Sequence, residues 1–144
     1  RQGMTSQLLN WYEEGTWTAA VQGSTGGTAA GYYVNSCAYT RVGNQVTVTG
    51  FVVISGVGTM TGGVKIAGLP FTSKNTAYLN SAGSIGVFTT DPTVFAGAGQ
   101  YAQVLLSLDP NSSAIDVKKQ VNGVSSVLGV SGSLDISFTL TYFV

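Results

Sequence analysis

The chain contains no histidine. That removes the imidazole base on which serine and cysteine nucleophiles ordinarily depend, and with it the commonest zinc ligand. Carboxylates are few. Glu13-Glu14 is the only acidic pair, and Asp91, Asp109, Asp116 and Asp135 stand singly. Glycosidic cleavage needs two carboxyl groups flanking one bond. Neighbours in an extended chain point to opposite sides, so Glu13 and Glu14 do not meet that requirement. Asp91 and Asp109 each precede a proline and read as turn formers. A calcium loop supplies several oxygens in close succession. Asp109, Asn111, Ser112 and Ser113 come nearest, and a turn is the favoured reading of them. Thr25-Gly26-Gly27-Thr28 and Thr61-Gly62-Gly63 lack the lysine and following helix of a phosphate loop, and read as flexible turns. The lone Cys37 reads as a small buried hydrophobe. No catalytic residue, no metal site and no cofactor is expected.

Aromatic side chains remain. Their faces stack on sugar rings and their polar tips bond hydroxyls. Trp11, Tyr12, Trp17, Tyr32, Tyr33, Tyr78, Phe95 and Tyr101 are all available, although core or interface packing is the favoured role for any one of them. Tyr78 and Phe95 fall in the two longest apparent connections, Pro70 to Ala82 and Thr90 to Gln100, and Tyr101 follows the second. Long ordered loops often carry binding function. Tyr78, Phe95 and Tyr101 are therefore the candidate ligand-binding residues.

The elements that must position them are strands. Gln45 to Thr49 alternates polar and apolar, then runs into Phe51-Val52-Val53-Ile54, which reads as buried on both faces. At the chain's end, Leu134, Ile136, Phe138, Leu140, Tyr142 and Val144 share one face, with Asp135, Ser137, Thr139 and Thr141 on the other. Gly43-Asn44 separates two such runs as a two-residue hairpin turn. Twenty glycines argue against long helices. Strands are expected at about 16–22, 32–42, 45–55, 63–69, 84–89, 101–108, 113–120, 124–129 and 133–144. Many short strands with regular turns predict an antiparallel, jelly-roll-like β-sandwich. Residues 1–12, with a helix-like patch at Leu8, Leu9, Trp11 and Tyr12, read as a lead-in from an upstream region, and residues 13–144 as one domain.

Charge narrows the partners. Charged residues make up 8% of the 144, against about 25% in an ordinary domain. Six basic and six acidic residues cancel, and mean hydropathy is +0.27. A surface so poor in charge suits coverage by a partner. Only Lys118-Lys119 forms a basic pair, so nucleic acid is not an expected partner. No apolar run approaches the roughly 18 residues of a membrane-spanning helix, and membrane insertion is not expected. The absence of an initial methionine suggests a piece of a longer chain.

Four stretches then carry a family likeness. Tyr12-Glu13-Glu14-Gly15-Thr16-Trp17-Thr18 resembles the opening motif of a domain at the C-terminal ends of bacteriophage tail fibres, tailspikes and related virion proteins. Tyr39 to Val48 resembles that family's first hairpin, Ile66-Ala67-Gly68-Leu69-Pro70-Phe71 a later strand end, and Ser133 to Tyr142 its closing strand. Ala19 departs from the pattern, which usually has proline there. The resemblance implies a β-sandwich in a homotrimeric fibre, on the virion exterior, serving assembly or attachment to host-surface glycans. Its partners would be copies of itself and other fibre or tail proteins. A capsid-associated fibre or decoration protein is the alternative, and a carbohydrate-binding module beside an upstream glycan-cleaving domain is a third reading. Two runs support oligomerisation without the family: Phe51–Ile54 and Val104-Leu105-Leu106 are apolar on both strand faces, and one sandwich buries only one.

Overall fold

The computed structural model describes residues 11–90, 102–121, 124–127 and 132–144. Among these, regular structure is entirely β: β1 (Tyr12–Trp17), β2 (Ala20–Gly23), β3 (Gly31–Val42), β4 (Gln45–Gly56), β5 (Val64–Ala67), β6 (Ser81–Thr90), β7 (Ala102–Leu108), β8 (Ala114–Val121), β9 (Val124–Val127) and β10 (Leu134–Phe143). Every strand pairing is antiparallel. The strands form one sheet in the order β1-β3-β4-β10-β6-β7-β8-β5-β2, with β9 paired to β8. The all-β, antiparallel, sandwich-like architecture expected from the period-two pattern is the one observed.

Connectivity explains why the sheet curls. β1 and β2 lie at opposite ends of the strand order, yet only Thr18-Ala19 separates them in the chain. The three Cα–Cα steps from Trp17 to Ala20 span at most about 11 Å. The sheet must therefore bend until its two edges almost meet. Its halves then share one core: Val21, Ile66, Ile115 and Val117 from β2, β5 and β8 join Val48, Val52, Ile136 and Leu140 from β4 and β10. Burying each such side chain contributes roughly 1.5–3 kcal/mol.

The strand expected at 16–22 is two strands. Asn35 of β3 causes the break, accepting the Ala19 amide at 3.1 Å on Oδ1 and donating Nδ2 to the Ala19 carbonyl at 2.7 Å. Ala19 is thus satisfied by a side chain rather than a ladder. Its amide is in use, and a proline there would have none to give. Tyr12, read from sequence as part of the lead-in, pairs with Val42 as the first residue of β1, and the Trp11 carbonyl accepts the Gly43 amide. Leu8 and Leu9 lie outside the described residues.

The β3–β4 hairpin is as its sequence predicts. Val42 pairs with Gln45 across Gly43-Asn44. Gly43 has φ of 61° and Asn44 does not share the positive sign, the pattern of a type II′ turn. In β4, Val52 and Ile54 are fully buried but Phe51 is 38% exposed. Among the described residues Phe51–Ile54 therefore has one buried face, that of Val52 and Ile54, with Phe51 exposed on the other. The Thr25-Gly26-Gly27-Thr28 and Thr61-Gly62-Gly63 turns are not independent. Thr25 N bonds Thr61 O, Thr61 N bonds Gly26 O, and the two threonine hydroxyls meet at 3.0 Å.

Candidate functional site

Residue pairing across antiparallel strands places paired side chains on one face. One such row on the core side runs Gly15, Tyr39, Val48, Leu140. Tyr39 lies over Gly15, where an added Cβ would sit 2.8 Å from the ring. The Tyr39 hydroxyl donates to Glu13 Oε1 at 2.7 Å, which raises its pKa. Its ring meets Phe71 edge-on at 5.5 Å. The Arg41 guanidinium lies over Phe71 at 4.8 Å and over Trp11 at 5.0 Å, while its Nε donates to Gly43 O. The Phe71 carbonyl accepts the hydroxyl of Tyr142, which is fully buried. Burial pushes the Tyr142 pKa up to about 12. Trp17 donates Nε1 to Ala38 O and packs edge-on against Phe138.

Stretches that are distant in sequence thus meet at Phe71: the first hairpin through Tyr39 and Arg41, the Leu69-Pro70-Phe71 strand end itself and the closing strand through Tyr142, with the opening motif joined to them by the Glu13–Tyr39 bond. Their shared chemistry is packing and hydrogen bonding. Glu13 and Glu14 do point apart, with Glu14 taking the Tyr12 hydroxyl at 2.6 Å. Asp109 takes Asn80 Nδ2 at 2.6 Å, and Asp116 pairs with Lys65 at 3.3 Å. Asn111, with φ of 54°, makes the Asp109–Ser113 stretch a tight turn. No group of three or more potential metal ligands occurs among the described residues. Cys37 is buried, with its thiol pKa raised by that burial.

The candidate ligand-binding aromatics separate. Phe95 and Tyr101 lie outside the described residues. Tyr78 is 98% exposed and has φ of 63°, a left-handed conformation unusual for tyrosine. The loop around it is held on both sides. Ser73 Oγ bonds Asp109 O, Lys74 N bonds Phe143 O, and Asn80 bonds Asp109. Tyr78 is therefore displayed from a fixed frame, apart from the Phe71 cluster.

A second surface was only half visible in the sequence. The outer side of β1, β3, β4, β10 and β6 consists of successive rows read from the pairing. Tyr12, Val42, Gln45 and Phe143 form the first, and Glu14, Thr40, Thr47 and Thr141 the second. Thr16, Ala38, Thr49, Thr139 and Ser84 form the third. Ser36, Phe51, Ser137 and Val87 form the fourth, and Val34, Val53, Asp135 and Thr89 the fifth. A shallow groove of about 450 Å³ lies in the middle, lined in part by Ser36, Thr49, Phe51, Ser84 and Ser137. Phe51 and Val87 are exposed there.

No family model and no curated protein matches this chain. Among solved structures, the crystal structure of the Dettilon tailspike protein is similar, with a TM-score of 0.69 at 20% identity. The match covers 92% of this chain and 24% of that one. This chain thus spans about a quarter of the length of the tailspike it resembles. What the likeness establishes is a shared β fold over nearly the whole chain.

Proposed function

We propose that this chain is a structural and attachment module of a phage virion, the distal β-sandwich of a tail fibre or tailspike that works as a homotrimer and meets host-surface glycan. The observation that carries this reading is the shared fold with a tailspike protein across 92% of the chain. The motif residues add to it. The four stretches that resemble the fibre and tailspike family are linked to one another, three of them at Phe71 and the opening motif through the Glu13–Tyr39 bond. The reading assigns no reaction to the chain. Glu13, Glu14, Asp109 and Asp116 are each engaged with a neighbouring side chain.

The test is location and competition. Antibody raised against the folded domain should label the tail tip of virions that carry it, and the purified domain should slow their adsorption to host cells. Label on the head instead would overturn the tail assignment in favour of a capsid fibre or decoration protein.

A further inference from the structure

The two outer faces of this curled sheet differ in charge. On the β2, β5, β8 and β7 side, one row holds Gln22, Lys65, Asp116 and Ser107, and Lys118 follows on β8. That face carries ionic groups at its centre, as a solvated surface does. On the β1, β3, β4, β10 and β6 side, the five rows hold only Glu14 and Asp135. Glu14 sits on the edge strand and Asp135 in the last row. Everything between is hydroxyl, amide or apolar, with Phe51 and Val87 exposed near the middle.

We infer that this charge-poor face of β1, β3, β4, β10 and β6 is where a second copy of the chain docks. The inference rests on the reading above that the module works as several copies, and it adds which surface they share. Hydroxyls cost little to desolvate when they find partners, whereas central lysines and aspartates cost far more. Only one of the two faces meets that condition. Its size is sufficient. Five strands about 4.8 Å apart and rows spanning nine residues at about 3.4 Å each give about 650 Å² per copy. Covered by neighbouring copies, that face buries about 650 Å² of each copy, close to one partner's share of a stable interface. Phe51 supplies the aromatic anchor near the centre, and the groove beside it offers a place for a partner's side chain.

The experiment is light scattering and sedimentation on the purified chain and three variants. Thr49→Arg and Phe51→Glu put a charge at the centre of the face, and Gln22→Arg puts one on the opposite side. Near-ultraviolet circular dichroism and melting verify that each is folded. The wild type should be oligomeric. Thr49→Arg and Phe51→Glu should weaken association roughly 100-fold or more, with Gln22→Arg unchanged. An oligomer indifferent to both central charges overturns the assignment. So does a monomeric wild type, and one that binds a neutral polysaccharide such as dextran, lost in Phe51→Glu, would give the face to a glycan. Tail labelling reads out independently of all these results, so failure here is distinguishable from failure of the proposed function.

Discussion

The Tyr39 hydroxyl and Glu13 Oε1 meet at 2.7 Å across the β1–β3 pair. One member of the acidic pair is thereby committed to holding a ring over Gly15. Glu13→Ala should lower the melting temperature, and Glu13→Gln, which keeps an acceptor, should lower it less. Host adsorption per folded molecule should be unchanged in both. A loss of adsorption at full stability would instead make the motif a contact surface.

Asn35 holds the two sheet edges together through Ala19. Asn35→Ala leaves the buried Ala19 amide and carbonyl without their partners, a loss of about 2–3 kcal/mol. Denaturant titration measures the loss. Cys37 gives a second readout, because its thiol lies 3.7 Å from Asn35 Oδ1 in the same packing. Its labelling by a thiol reagent should accelerate in the variant.

Gly50 is the space into which Phe138 and Cys37 pack. An added Cβ would lie 2.6 Å from Phe138 Cζ and 2.8 Å from the Cys37 sulfur. Gly50→Ala should cost about 1–3 kcal/mol through overpacking. Adding Phe138→Leu should recover part of that, a non-additivity that a double-mutant cycle detects.

Much of this was legible beforehand because local pattern and global fold agree. The alternation of β10 from Leu134 to Tyr142 is the burial pattern found, and Gly43-Asn44 makes the hairpin its residues demand. What sequence could not show was set from a distance. The break at Ala19 depends on a side chain 16 residues away. Apolar runs marked Phe51–Ile54 as two-faced, but only the pairing shows that the rows through Thr49 and Phe51 carry no charge and that the whole face holds only Glu14 and Asp135. In the candidate site, the long loop that holds Tyr78 was legible, but the left-handed backbone of Tyr78 left no mark in the sequence.

Tyr142 predicts a pH dependence. Unfolded tyrosine ionises near 10, and here burial raises that to about 12. Between those values the unfolded chain loses the proton while the folded chain retains it. Stability is therefore full below pH 10 and falls as pH rises toward 12, by about 2–3 kcal/mol in total. Tyr142→Phe should flatten this alkaline slope in denaturant midpoints. At neutral pH it should cost about 1 kcal/mol, because the Phe71 carbonyl loses its donor.

Tyr78 joins full exposure to a φ of 63°. A left-handed backbone costs a residue with a Cβ about 1–2 kcal/mol, and glycine escapes that cost. Tyr78→Gly should therefore stabilise the chain, by up to about 1 kcal/mol after the extra chain entropy of glycine is counted. Tyr78→Ala keeps the strain and should leave stability nearly unchanged. Both remove the ring. If the loop displays Tyr78 to a host surface, both variants should slow adsorption equally despite their different stabilities. Adsorption that instead follows stability, or does not change, would show that the ring touches nothing on the host.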